Sequence, residues 1–227
     1  MNTKALILVA ATLLTASCGA PTDSKKSPDQ APEKGGAAVR PAPRPAEPIS
    51  FDASRDTFML NGQPLVTAKQ WTFANSVEGF AGAGTTVSLN EGGGLHAVGT
   101  RFDPIIRSPR NLDVKGATSN AILVRVTRQK SGGHWDGSIF YNTAGHQEVA
   151  GFAVTPSRGA NPAVGETTIM VYDLTKPVKV ASDWQSSVIT GFRLDLDDDV
   201  GGDFVIHEVA IVNIPKASTA GAAAPKP

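Results

Sequence analysis

WQSSVITGFRLDLDDDVGGDFVIHEVAIVN, residues Trp184 to Asn213, has the pattern of two β-strands joined by an acidic, glycine-containing turn. Successive side chains of a strand point to opposite faces. In the first strand, one face is predicted to carry Val188, Phe192, Leu194 and Leu196, and the other Ile189, Arg193, Asp195 and Asp197.

The second strand, Phe204–Val212, is apolar on both faces apart from His207 and Glu208. Strict alternation divides its apolar residues into two sets: Phe204, Ile206 and Val212 on one face, and Val205, Val209 and Ile211 on the other. Because such a strand has to be covered on both faces, it is predicted to lie inside a sheet.

Short apolar or alternating runs with turn residues between them continue along residues 51–215, and no amphipathic helix interrupts them. Asn61-Gly62 fits the type I′ turn of a hairpin, and Pro64, which lacks an N–H, is expected on an edge strand. This spacing predicts an all-β fold, an antiparallel two-sheet β-sandwich of the jelly-roll type. The other predicted strands are Thr57–Leu60, Gln63–Thr67, Trp71–Ala74, Thr85–Leu89, Leu95–Gly99, Ile105–Arg107, Asn120–Thr127, Gly137–Asn142, Val149–Thr155 and Thr167–Leu174.

The first 17 residues have the features of a secretory signal peptide: Lys4, the apolar run Ala5–Leu14, and small residues before Cys18. The segment 14–19, LTASCG, resembles a bacterial lipoprotein signal, with Thr15 where that family usually has Leu. The resemblance implies lipid attachment at Cys18, the only cysteine of the chain. Gly19 resembles the sorting pattern of outer-membrane lipoproteins. We therefore expect an exported protein of the bacterial cell envelope, bound to the outer membrane through its N-terminal lipid.

Residues 18–50 are rich in Pro, Ala and charged residues and contain almost no large apolar ones. Such a segment cannot bury enough surface to offset its ordering entropy, so a disordered linker is expected there. A disordered tail is expected for residues 216–227 on the same grounds, which leaves residues 51–215 as one sandwich domain. The 21 basic and 21 acidic residues balance, so nothing in the overall charge indicates nucleic acid as a partner.

Several segments in order resemble the galactose-binding-like jelly-roll domains, a group that includes many carbohydrate-binding modules. The resemblance covers roughly residues 68–213 and implies sugar recognition by aromatic residues on a concave face or in end loops, often beside a structural calcium. Where the closing strand of that family commonly has an Asp, this chain has His207, a poor calcium ligand. The segments are residues 102–109, 121–128, 137–141, 171–174, 183–184, 189–195 and 202–206.

The acidic residues after Leu194 also invite a calcium hypothesis. An EF-hand starting at Asp195 would need Gly and a carboxylate where the chain has Val200 and Ile206, so that motif is absent. An irregular site is one alternative, and a solvated acidic turn that protects a sheet edge is the favoured one. No cofactor is expected, and the four histidines lack zinc-ligand spacing.

The best candidate for a sugar site is Gly132–Gly137, a glycine-flanked loop that contains His134 and Trp135. Sugar sites combine an apolar aromatic surface with a few placed polar groups. The predicted ligand-binding residues are Trp135, Tyr141, Arg125, His134 and Asn142. The alternative for Trp135 is that it folds back onto the core, as most Trp side chains do.

No catalytic motif is present: the chain contains no Gly-x-Ser-x-Gly, and its glycine-rich pieces do not precede a helix. The sequence therefore predicts a non-catalytic, lipid-anchored protein that binds a carbohydrate or glycan surface. The alternative is a structural or assembly lipoprotein that binds another envelope protein.

Overall fold

The computed structural model describes residues 49–215, which form a β-sandwich of two antiparallel six-stranded sheets with a third, three-stranded sheet beside them. The prediction of an all-β, two-sheet jelly-roll sandwich is confirmed. Three short 3₁₀ helices are present in this part of the chain: Gly116–Thr118, Ala150–Phe152 and Trp184–Ser186. No helix among residues 49–215 is long and apolar enough to cross a membrane.

The strands fall into three sheets. The N-terminal sheet has the order β1-β2-β3: Ile49–Asp52, Thr57–Leu60 and Gln63–Pro64. Sheet one has the order β13-β10-β15-β7-β6, with β4 also paired to β15: Thr167–Asp173, Ala121–Lys130, Asp203–Asn213, Leu95–Gly99, Thr85–Leu89 and Val66–Trp71. Sheet two has the order β12-β11-β14-β8-β5, with β9 also paired to β14: Ala153–Val154, Trp135–Thr143, Val188–Asp197, Ile105–Arg107, Ala81–Ala83 and Val114–Lys115.

The two strands of the stretch 184–213 belong to different sheets, β14 to sheet two and β15 to sheet one. The acidic turn between them therefore connects the two layers and does not close a hairpin. β15 pairs with β10, β7 and β4, which confirms that it is an inner strand. Apolar side chains of both strands fill the space between the sheets, and the main core is built around them.

Two β-bulges change the faces predicted from strict alternation. The register shifts by one residue between Asn142 and Thr143, and this turns Ile189 of β14 into the core while Val188 stays exposed. A second shift lies at His207 of β15, since Val126 pairs with Ile206 and Arg125 with Glu208. After this bulge, the residues of β15 face the opposite sides from those predicted. Val209 and Ile211 lie in the main core with Phe204 and Ile206, while Val212 faces the other side of the sheet.

A second, smaller core lies between sheet one and the N-terminal sheet. Phe58 and Leu65 cover apolar residues on the outer face of sheet one: Ala121, Leu123, Val171, Ala210 and Val212. The predicted hairpin is confirmed, since Leu60 pairs with Gln63 and both turn residues have positive φ, 50° at Asn61 and 78° at Gly62. Pro64 lies on β3, at the edge of the three-stranded order, as expected.

Some strand boundaries differ from the prediction. The predicted strand Gln63–Thr67 divides between β3 and β4, which belong to different sheets, and β4 ends at Trp71 where Trp71–Ala74 was expected. Within Val149–Thr155, a 3₁₀ helix leaves only Ala153–Val154 as strand. The predicted signal peptide 1–17, the linker up to residue 48, lipid attachment at Cys18 and the tail 216–227 lie outside the described residues.

Candidate functional site

Trp135 opens β11 and lies half-buried against the edge of the main core. Its ring centre is 6.2 Å from that of Phe204, and the Arg128 guanidinium lies 5.1 Å above it. Gly137 makes room for this position, because a Cβ there would come within 2.6 Å of the indole. The Trp135 ring therefore packs largely against the protein. This agrees better with the alternative that Trp135 folds back onto the core than with an exposed sugar-binding ring.

Tyr141 is wholly enclosed, with 0% of its surface exposed. Its ring lies 5.1 Å from that of Trp184, and its hydroxyl donates to Asp183 Oδ1 at 2.8 Å. Burial raises the pKa of Tyr141 to about 12. The prediction of Tyr141 as a ligand-binding residue is therefore wrong, because the alternation of β11 turns Ile139 and Tyr141 into the core.

Arg125 lies on the outer face of sheet one, in the other layer from Trp135 and Tyr141. Its Nη1 donates to Glu208 Oε2 at 2.9 Å, and its guanidinium lies 5.4 Å from the centre of the Phe51 ring. Arg125 therefore cannot form one contact surface with the predicted residues of β11. It belongs to the packing of the N-terminal sheet against sheet one.

His134 is the predicted site residue that stays exposed, at the tip of the β10–β11 loop. Its Nδ1 lies 2.7 Å from Asp198 Oδ2, and this hydrogen bond raises the pKa of the imidazole. Its backbone N–H donates to Asp199 Oδ2 at 2.8 Å. His134 thus ties the β10–β11 loop to the acidic turn.

The acidic run is not the solvated turn that the sequence favours. Asp195 and Asp197 are only 3% and 2% exposed, and each contacts an arginine, Arg193 and Arg128 respectively. Asp197 also accepts the Gly132 N–H at 2.7 Å. Among residues 49–215 no group of three or more His, Cys, Asp or Glu is arranged to hold a metal ion.

Asn142, the last of the predicted residues, lines an open groove of about 280 Å³ on the outer face of sheet two. We call it the polar groove. Charged and amide side chains dominate its lining: Arg107, Arg110, Asn111, Asn142, Gln147 and Glu148. Sequence reasoning selected only Asn142 among these residues, because Arg107 ends β8 and the other four lie on the β8–β9 and β11–β12 loops. The run Arg107–Asn111 is the signal that could have indicated them, because one arginine ends a short strand and a second follows three residues later.

One wall of the polar groove is a fixed ion pair. Nε and Nη2 of Arg107 donate to the two carboxylate oxygens of Glu148 at 2.6 and 2.7 Å. This double hydrogen bond lowers the pKa of Glu148 and raises that of Arg107. Bidentate pairs of this kind hold both side chains in a defined geometry. The donors and acceptors of this wall are therefore already oriented, and ligand binding does not have to order the two side chains.

The floor of the polar groove is formed by Asn142 and its cross-strand partner Gly191. A Cβ at Gly191 would lie 3.5 Å from Asn142 Nδ2, so the glycine leaves the amide uncovered on this side. Oδ1 of Asn142 is enclosed and has no hydrogen-bond partner among the described residues. A buried acceptor without a donor costs about 1–3 kcal/mol. Departures of this kind from good packing concentrate at functional sites.

Arg110 lies at the rim of the polar groove and is exposed. Its loop is tied to β14 on both sides: the Ser108 N–H donates to Phe192 O at 2.9 Å and the Leu112 N–H to Thr190 O at 3.2 Å. Within residues 49–215 Arg110 forms no ion pair or side-chain hydrogen bond. The groove therefore carries the positive charge of Arg110, on a loop whose backbone is held by β14.

No family model and no curated protein matches this sequence. Among solved structures, the chain is similar to a family 29 carbohydrate-binding module from Piromyces equi, with a TM-score of 0.44, 11% identity, and coverage of 64% of this chain and 91% of that one. It is also similar to CsCBM6-3 from Clostridium stercorarium, solved with cellobiose, with a TM-score of 0.38, 8% identity, and coverage of 64% and 94%.

A third similar structure is the C-terminal CBM6 of LamC, a marine laminarinase from Zobellia galactanivorans, with a TM-score of 0.34, 12% identity, and coverage of 64% and 98%. All three are carbohydrate-binding modules, the kind of domain that the sequence resembles. Their TM-scores lie below 0.5, so they carry no argument about the ligand of this chain.

Proposed function

We propose that this protein is a non-catalytic carbohydrate-binding protein that holds a glycan in the polar groove. The observation that carries the proposal is the floor of the groove, where Asn142 keeps its amide uncovered beside Gly191 at the cost of an enclosed, unpartnered oxygen.

The chemistry of the lining suits sugar hydroxyls. A hydroxyl both donates and accepts, so it can pair with guanidinium N–H groups, with amides and with a carboxylate. Arg107 and Glu148 offer these donors and acceptors side by side, and Asn111, Asn142 and Gln147 add amides. The volume, about 280 Å³, lies close to the lower end of small-molecule sites, roughly 300 Å³.

The location of the protein is part of the same proposal. Export and lipid attachment at Cys18 would hold the sandwich at the outer membrane of the cell envelope, through the linker that precedes β1. Support comes from the signal-like residues 1–17 and the single cysteine. Incorporation of radiolabelled palmitate tests the lipid attachment. The natural chain should be labelled and Cys18→Ala should not, and a labelled Cys18→Ala variant contradicts the proposal.

Glycan binding is tested by retention of the full chain on insoluble polysaccharides and on a glycan array. Asn142→Ala should lower the affinity at least tenfold without a change in melting temperature. Gln63→Ala, which removes an exposed amide from the N-terminal sheet, is the matched control and should bind as the natural chain does. The proposal fails if no glycan retains the chain or if Asn142→Ala binds undiminished.

A second candidate function is binding of another envelope protein through the loops at the opposite end of the sandwich. Phe102 is 76% exposed and Val200 45%, and their loops are joined by the Asp103 N–H, which donates to Asp198 O at 2.9 Å. A contiguous patch of exposed apolar side chains marks protein contacts, and these two joined loops would supply such a patch. Phe102→Ala should abolish crosslinking to a specific envelope protein while Asn142→Ala keeps it, and the reverse pattern excludes this candidate.

A further inference from the structure

The charges of the polar groove do not cancel. Its lining contains two positive side chains, Arg107 and Arg110, and one negative one, Glu148. Because Arg107 and Glu148 form a bidentate pair, the remaining positive charge belongs to Arg110. The nearby Arg193 is matched by Asp195, to which its guanidinium donates from Nε at 2.6 Å. The groove therefore has one positive charge in excess.

This excess charge is placed where a ligand in the groove would meet it. Arg110 is exposed, and the hydrogen bonds of Ser108 and Leu112 to β14 fix its loop. Asn111, the next residue, has a φ of 60°, a left-handed conformation that asparagine adopts more readily than most residues. A free surface arginine is ordinary, but this one lies at the rim of a groove whose other charges are already paired.

We propose that the polar groove selects a sugar with one negative charge, so that Arg110 pairs with a carboxylate or sulfate group while the neutral part of the ring contacts Asn142. The guanidinium fork matches both anions by two parallel hydrogen bonds. This inference rests on the proposed function and specifies its ligand: an acidic glycan, built from uronic acid or sulfated units.

The experiment compares calorimetric titrations of the full chain with oligogalacturonate, with the same oligosaccharide after carboxyl reduction, and with a sulfated oligosaccharide of similar length. The acidic ligand should bind about tenfold or more tightly than its reduced form. Arg110→Gln should remove this preference by weakening the binding of the acidic ligand, so that the two forms bind about equally. Arg101→Gln, at an exposed arginine outside the groove, is the matched control and should keep the preference.

The sulfated ligand distinguishes the two anions. Binding of both acidic ligands with the same loss in Arg110→Gln supports recognition of negative charge in general, and binding of oligogalacturonate alone supports a carboxylate. The inference is overturned if Arg110→Gln and Arg101→Gln behave alike, or if the reduced ligand binds as tightly as the acidic one. Either of these results leaves the proposed glycan binding intact, because the ligands still bind. If no ligand binds at all, the proposed function fails as well.

Discussion

Arg128 of β10 and Asp197 of β14 form an ion pair that joins the two sheets, with 2.8 Å between Nη2 and Oδ1. Their side chains are 7% and 0% exposed. Arg128 also donates to Asn161, Pro162 and Ser131, and its guanidinium lies beside the Trp135 ring. One arginine therefore connects both layers with two loops at the end of the sandwich.

Removal of Arg128 should be strongly destabilising. Arg128→Met leaves the Asp197 carboxylate buried without its cation, and breaking one side of a buried pair costs about 3–5 kcal/mol. The double variant Arg128→Met with Asp197→Leu should recover much of this loss, because no charge stays buried. Urea denaturation measures both. Arg110→Gln is the control and should change the free energy of unfolding by less than about 0.5 kcal/mol. Equal stabilities of the two Arg128 variants would contradict the argument.

The strands were predictable because their signal is local. Thr85–Leu89, Leu95–Gly99 and Ile105–Arg107 have the same boundaries in the structure as in the prediction, since alternation and flanking turn residues determine them. The bulge at His207 was not predictable, because it depends on how β15 pairs with β10. A single extra residue moves every later side chain to the other face.

The same physics explains the mixed outcome for the candidate site. Asn142 and Tyr141 are adjacent in sequence, yet one faces the polar groove and the other the core, and local pattern does not say which face of β11 is covered. Arg125 does lie on an outer face, but on that of the other sheet. Arg110 was not predicted because a loop comes to line a site only through tertiary structure.

Gly116→Ala should destabilise the sandwich. A Cβ at Gly116 would lie 1.9 Å from the backbone oxygen of Trp184, so the two 3₁₀ helices that meet there would have to separate. Overpacking of this kind costs about 1–3 kcal/mol, and the upper end is expected because backbone atoms must move. Gly191→Ala is the control, since its new Cβ has only contacts of 3.5 Å and longer. A Gly116→Ala variant as stable as Gly191→Ala in urea would show that the close approach is not real.

Tyr141→Phe should lower stability without affecting glycan binding. The change removes the hydroxyl that donates to Asp183 Oδ1, a hydrogen bond to a charged group, for which about 1–3 kcal/mol is expected. The phenyl ring would stay in the core, away from the polar groove. Tyr172→Phe, which removes a buried hydroxyl that donates to Gly137 O at 3.0 Å, is the comparison. Weaker glycan retention by Tyr141→Phe at unchanged stability would mean that Tyr141 contacts the ligand after all.

The stability of the sandwich should depend on the ionisation of Asp195. Burial raises the pKa of this carboxyl to about 6, and it outweighs the contact with Arg193. In the unfolded chain the pKa returns to about 3.9. Between these values the folded state holds a proton that the unfolded state has released. The contribution of Asp195 to the free energy of unfolding therefore falls as the pH rises from about 3.9 to about 6, by up to about 3 kcal/mol.

Asp195→Asn removes this dependence, so its free energy of unfolding should change less between about pH 4 and pH 6 than that of the natural chain. Urea denaturation at several pH values measures the free energy of unfolding of both proteins. Taking the difference between them at each pH removes the contributions of other carboxyls, such as Asp136 with its raised pKa. Glu91→Gln, at an exposed carboxyl of the β6–β7 turn, is the control and should follow the natural chain. Parallel curves for Asp195→Asn and the natural chain would mean that Asp195 is ionised throughout, with Arg193 outweighing burial.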